Sequence, residues 1–269
     1  MYTSEAASVL PESYFLISIV TYCGDWRFAN QKKNKIQANQ RTACFKKLRL
    51  TDMNDTPESL KAFVSWAVEL EHFECTLTDP MSKVWTFKTY DSILATHAST
   101  LTTLALGYGS LWRGETEIID LTKYPNLEVL CISAFHIHCS PEIASRGLAS
   151  PRLRKFVMDF TLPVAYELRW IPFTREEANW ITKFASLHSA EFSNLRTIEI
   201  DFPLYPPPMS LTVEIEFPWD IMEETKKAIE PIGFDLLYDP PVYSKTHFFR
   251  KLKGPPIKPL KFASLNLPL

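Results

Sequence analysis

Few residues in this chain have types and spacings that could do chemistry. The tightest group is His136-Ile137-His138-Cys139, with Cys131 just upstream. Imidazoles and thiolates are what a zinc ion takes, but a structural zinc site wants four ligands at characteristic paired spacings. Cys131 falls inside an apolar run (VLCIS) of strand character, so the group is expected to be a loop leaving that strand. Neither cysteine has an Asn or Asp nearby to complete a Cys–His nucleophile. The carboxylate pairs Glu176–Glu177 and Glu223–Glu224 stand at i, i+1 on expected helices and so face apart. The sequence contains no GxSxG, HExxH, P-loop or dinucleotide motif. The seven tryptophans (Trp26, Trp66, Trp85, Trp112, Trp170, Trp180 and Trp219) are expected in the core. These residues point to a non-catalytic chain, with no cofactor and no metal, that works by binding.

Composition points the same way. The 269 residues are 46% hydrophobic and 22% charged, as in a globular protein rather than a disordered one. Gly is scarce, at 7 residues, which argues against phosphate-cradling loops; Pro is abundant, at 20. The net charge of -2 lacks the strong positive balance of a protein that coats nucleic acid. The longest early apolar run, Tyr14 to Val20, is far short of the roughly 20 residues that span a membrane. The N-terminal MYTSEAASVLPES has two acids and no basic region, unlike a secretory signal. The five cysteines are widely spaced, without a CxxC, as expected of reduced thiols in a cytoplasmic or nuclear protein.

Self-similarity sets the fold. The pattern L-x-x-L-x-L, with apolar replacements, recurs six times: Phe45, Leu48, Leu50; Leu70, Phe73, Cys75; Leu101, Leu104, Leu106; Leu127, Leu130, Ile132; Leu153, Phe156, Met158; and Leu195, Ile198, Ile200. First positions are 25, 31, 26, 26 and 42 residues apart, so the last gap needs an insertion. In a strand the fourth and sixth positions share a face because side chains alternate with period two. Burying one such side chain contributes about 1.5–3 kcal/mol before entropy is subtracted. Helix signals lie between the triplets. Thr56-Pro57 starts one helix, Asp91 is expected to cap another bearing Ile93, Leu94 and His97, and Thr174 with Glu177 forms a capping box. The expected fold is α/β, an irregular leucine-rich-repeat-like solenoid of short parallel strands and interleaved helices. The Asn that usually follows such a strand is missing; Met53, Thr78, Gly109, Phe135, Thr161 and Pro203 stand there.

The expected organisation is an N-terminal segment 1–44, a repeat domain 45–202, a capping unit 203–240 and a Pro/Lys-rich tail 241–269. In the capping unit, Leu211 to Phe217 reads as a strand, Pro218 to Ile229 as a helix and Gly233 to Tyr238 as a strand. The tail is expected to be extended or loosely attached, with a packed extended arm as the alternative.

The third, fifth and seventh positions of each unit should project outward. The candidate partner-binding residues among them are Lys47, Arg49, Glu74, Val129, Lys155, Asp159, Glu199 and Asp201. Positive charge gathers at the N-terminal end of this face, negative charge at the other, with an uncharged centre around Val129 and Cys131. That pattern suits a protein partner better than a small substrate. From Trp26 to Thr51 there are eight bases (Arg27, Lys32, Lys33, Lys35, Arg41, Lys46, Lys47 and Arg49) and no acid. A second reading therefore uses 27–49 to bind nucleic acid or an acidic partner.

The phrases YPNLEVLCIS (124–133), SPRLRKFVMDF (150–160), FSNLRTIEIDF (192–202) and FPWDIMEETKKAIEPIGFDLLYDPP (217–241) resemble the repeat region of fungal F-box and F-box-like proteins with degenerate leucine-rich repeats. The resemblance covers roughly 45–245. It implies that the repeats select a protein for a cullin–RING ubiquitin ligase, and that an N-terminal F-box binds its Skp-type adaptor. Leu10, Pro11 and Glu12 give a shortened F-box opening with Ile17, Ile19 and Val20 behind it, while the later F-box pattern is not recognisable in 24–44. Residues 1–44 are thus expected to hold at most a degenerate remnant.

Overall fold

The computed structural model describes residues 16–20, 41–53, 55–77, 83–107, 117–161, 172–188, 194–203 and 215–252. Among these, eight strands form one parallel sheet in strict chain order: β1 (Leu16–Val20), β2 (Lys47–Met53), β3 (His72–Leu77), β4 (Thr103–Leu106), β5 (Val129–Ser133), β6 (Lys155–Asp159), β7 (Thr197–Asp201) and β8 (Asp235–Tyr238). Helices fill most connections: α1 (Pro57–Val64), α2 (Phe87–Leu94), α3 (Pro141–Gly147), α4 (Arg175–Leu187) and α5 (Pro218–Ile229), with α6 (Lys245–Leu252) after β8. The β4–β5 connection carries a short 3-10 turn, Leu121–Lys123.

The recurrent triplets account for this sheet. Fourth positions run in register from strand to strand as Leu48, Phe73, Leu104, Leu130, Phe156 and Ile198, and Leu236 continues the row. Sixth positions do the same as Leu50, Cys75, Leu106, Ile132, Met158 and Ile200, followed by Tyr238. None of the eighteen triplet side chains is more than 5% exposed. Together with the apolar faces of the helices they form one core. No third-, fifth- or seventh-position residue of the six units belongs to it. Neighbouring helices pack side by side, α1 on α2, α3 on α4 and α4 on α5.

A backbone contact repeats with the same period. The carbonyl at the second position of each of the first five units accepts two N–H groups from the next, and that of the sixth, Arg196, accepts the Asp235 N–H. Lys46 takes Glu71 and His72, Glu71 takes Thr102 and Thr103, Thr102 takes Glu128 and Val129, Glu128 takes Arg154 and Lys155, and Arg154 takes Arg196 and Thr197, all at 2.8–3.3 Å. Side chains reinforce these joints. Asn126 Nδ2 donates to the Ser99 carbonyl, Asn194 Nδ2 to that of Pro151, and Thr100 Oγ1 to that of Leu70. The stitching polar residues therefore precede the strands, where a repeat with an Asn after its strand would place them behind.

Local signals set the helix starts. Thr56 accepts from the Ser59 N–H ahead of Pro57, and Thr174 with Glu177 forms the full capping box. The 42-residue interval carries α4, the longest helix among the described residues. Asp91 is not a cap. Helix α2 begins earlier, capped by Thr86 accepting from Thr89, and Asp91 lies within it, bonded to Lys123 Nζ at 2.6 Å and Tyr124 Oη at 2.9 Å.

The ends differ from the expected boundaries. Ile17 and Ile19, placed behind the F-box-like opening, stand on β1 in register with Leu48 and Leu50, so the sheet starts before residue 45. The opening itself, Leu10 to Glu12, lies outside the described residues. So does most of the strand expected over 211–217, and residues 215–217 are not strand. The expected loose tail is packed over part of its length. Helix α6 buries Phe248 completely against Phe217 and Trp219, with ring centroids 5.2 and 5.6 Å away. Spaced apolar residues in KTHFFRKL outweigh the Pro-rich flanks.

Truncating Leu130, which is fully buried between Leu104 and Phe156, should cost about 2–5 kcal/mol as Leu130→Ala. Leu130→Asp should abolish cooperative folding, because a lone buried charge has no partner there. Urea denaturation followed by circular dichroism checks both; a soluble Leu130→Asp protein that melts cooperatively would contradict the stacked core.

Candidate functional site

The inward rows leave three outward rows on the opposite face of the sheet. Third positions run Lys47, His72, Thr103, Val129, Lys155, Thr197 and then Asp235; fifth positions run Arg49, Glu74, Ala105, Cys131, Val157, Glu199 and Leu237. In the seventh row Ser133, Asp159 and Asp201 are register partners on β5, β6 and β7. Asp239, just past β8, takes the corresponding place after Tyr238 pairs with Ile200.

All eight candidate residues lie on this face, in two groups. Lys47, Arg49 and Glu74 share β2 and β3; Lys155, Asp159, Glu199 and Asp201 share β6 and β7; Val129 stands between on β5. One ion pair forms within the face at each end. Arg49 Nε donates to Glu74 Oε1 at 2.8 Å, with His72 at 3.9 Å from the same carboxylate. Lys155 is bonded to Glu199. The positive N-terminal end is therefore partly neutralised. Exposed pairs of this kind stabilise by about 0–1 kcal/mol, so their consequence is for charge display more than for the fold.

The basic stretch is similarly divided. Arg27, Lys32, Lys33 and Lys35 lie outside the described residues. Lys46 is paired with Glu71 and Glu69, and Arg41 donates to the Val68 carbonyl. The centre of the face is less open than an uncharged patch suggests. Val129 and Cys131 are half-buried, Val157 is buried, and Ser133 is 0% exposed.

Electrostatics follow from this layout. The neighbouring His72 imidazole, 3.9 Å away, and the Arg49 guanidinium hold the Glu74 carboxyl below its usual range. Burial pushes Asp159 up to about 6, against the lowering effect of the hydroxyl and N–H of Thr161, which both donate to it; Asp201 and Glu74 push it further. Partial loss of water, then Glu199 and Asp239, raise Asp201, opposed by Lys155. Burial, with Asp159, Asp201, Glu74 and Glu199 around it, raises the Cys131 thiol well above its ordinary range.

The His-Ile-His-Cys segment does not converge. His136 and Cys139 point inward and are buried, whereas His138 is exposed. Burial lifts the Cys139 thiol to about 11, which keeps it protonated. Among the described residues no group of three His, Cys, Asp or Glu side chains could hold a metal ion, and no helix is long and apolar enough to cross a membrane. Trp66, Trp180 and Trp219 are packed with their indole N–H bonded, to Thr42, Cys139 and Asp239 respectively; Trp26, Trp112 and Trp170 lie outside the described residues.

The candidate set lacked two residues of the seventh row. Ser133 is uncharged and drew no attention; its Oγ is buried and has no hydrogen-bond partner among the described residues. Asp239 follows from numbering GFDLLY as a seventh unit, with Leu236 and Tyr238 at its fourth and sixth positions. Comparisons with protein-family models, curated proteins and solved structures give no match for this chain.

The raised Asp159 makes stability depend on pH. Its folded value, about 6, lies above the ordinary 3.8, so the stability it contributes is present below pH 3.8 and lost as pH rises through 6. Asp159→Asn keeps an acceptor for Thr161 and removes that loss. It should stabilise the protein by about 1–2 kcal/mol at pH 8 and by roughly half as much at pH 5. The buried His97 and His188, both pulled below the usual histidine range by burial, shift stability the other way but cancel between the two proteins. Urea titrations at both pH values check this; a variant effect independent of pH would contradict the assignment.

Proposed function

We propose that this chain is a non-catalytic protein-interaction scaffold, a leucine-rich-repeat-like solenoid resembling the substrate-recognition part of a fungal F-box protein. One observation carries the reading: helices pack one face of the sheet, and the other presents in-register rows of mixed polar, charged and apolar side chains across β2 to β8. Strict chain order, with the same two-donor joint between successive units, supports the solenoid. A surface of this extent, with charge at its ends and half-buried apolar residues at its centre, matches the anatomy of a protein interface. On the resemblance, the bound protein would be a target for ubiquitination and residues 1–44 would engage a Skp-type adaptor. The Lys46 and Arg49 ion pairs make the basic segment a weaker basis for nucleic-acid binding.

Affinity purification with mass spectrometry tests the scaffold. The wild-type chain, a Lys47→Glu/Arg49→Glu variant and a Glu58→Gln/Glu176→Gln control on the helices are compared. A protein whose recovery falls about tenfold with the face variant, equivalent to roughly 1.4 kcal/mol, and is unchanged by the control is the expected result. Folded variants that recover the same proteins as wild type would remove this end of the sheet as a contact. Recovery of the Skp-type adaptor would support the F-box reading of 1–44.

A further inference from the structure

Building on the scaffold reading, we infer that the row Ser133, Asp159, Asp201 and Asp239 receives arginine or lysine side chains from a basic segment of the protein partner. The row is graded. Asp201 and Asp239 are exposed, Asp159 is half-buried, and Ser133 closes the far end with no exposed surface. Strand parity puts all three register partners on the outward face.

No described cation forms an ion pair with Asp159, Asp201 or Asp239. Lys155, the one cation whose charge bears on the row, through Asp201, is bonded to Glu199. Glu74 and Glu199 add to the negative field around the row. Asp159 is half-buried beside Asp201 with no ion pair of its own, so its charged form is disfavoured, and a bound cation reverses that.

The chemistry of the occupant follows from spacing. Neighbouring strands lie about 4.8 Å apart, so the three aspartates extend over roughly 10 Å. A calcium ion needs its oxygens within about 2.3–2.6 Å and cannot gather this row. A basic peptide places one donor group after another along it. The unpaired Ser133 hydroxyl is the independent sign of a ligand. A buried polar group left unsatisfied costs about 1–3 kcal/mol. A guanidinium entering from the open end has five N–H donors, enough to meet Asp159 and Ser133 together.

The test uses the full chain and a fluorescein-labelled hexa-arginine peptide, read by fluorescence anisotropy at about 0.15 M salt. Asp159→Asn/Asp201→Asn should weaken binding about tenfold or more, Ser133→Ala by a smaller factor, and Glu58→Gln/Glu176→Gln hardly at all. Urea denaturation confirms that each variant is folded. Equal weakening by the rim and control pairs, no saturable binding by the wild type, or displacement of the peptide by micromolar calcium chloride would each overturn the assignment. If the rim variant binds the peptide like wild type while Lys47→Glu/Arg49→Glu still loses its captured protein, the row is not the contact and the scaffold reading stands. If neither variant changes anything, the row is not the contact and the Lys47/Arg49 end of the sheet is not one either.

Discussion

Each short strand of this protein has an apolar side that it cannot bury alone. Leu130 is shielded because Leu104 stands on one side of it and Phe156 on the other, and the same holds along the fourth and sixth rows. The register is therefore imposed by the core. A slip of one residue would turn Leu104 and Leu106 outward and Thr103 and Ala105 inward. The repeated carbonyl with two donors locks the same alignment from the backbone side. Other features are tolerated as long as this stacking survives, including connections of unequal length, a 3-10 turn between β4 and β5, and a long interval holding α4.

That constraint also arranges the outer face. Once the inward rows are in register, the outward rows are too, so side chains 25 to 42 residues apart in sequence become neighbours. Arg49 meets Glu74 and Lys155 meets Glu199 for this reason. The pairs leave a face whose first strands are nearly neutral and whose last strands carry an unbalanced row of aspartates. Asp159 bears the main cost, held near a pKa of about 6 by burial and like-charge neighbours. A carboxylate kept in such a place without a counter-ion points to use of the face rather than to stability of the sheet.

Much of this was legible in the chain because period-two alternation and helix caps are local. The triplets fixed strand centres and parity, and Thr56-Pro57, Thr174 with Glu177, and Pro218 marked helix starts at their observed places. Asp91 misled because an acid beside apolar helical spacing looks like a cap, while its real role is to bond Lys123 and Tyr124 on the next connection. Helix α6 was hidden by its flanks. The Arg49–Glu74 pair was within reach, since both stand at fifth positions of consecutive units. The isolation of Ser133 was not, because it depends on what surrounds a buried hydroxyl in three dimensions.

The central claim is that consecutive triplets stack as neighbours, and a double-mutant cycle measures this most directly. Leu104→Ala and Leu130→Ala, alone and together, should show a coupling of about 0.5–3 kcal/mol in urea denaturation, whereas Leu104→Ala with Ile198→Ala, three strands apart, should be additive to within about 0.5 kcal/mol. Equal coupling for the two pairs, or none for Leu104 and Leu130, would contradict the stacked arrangement on which the outer face depends.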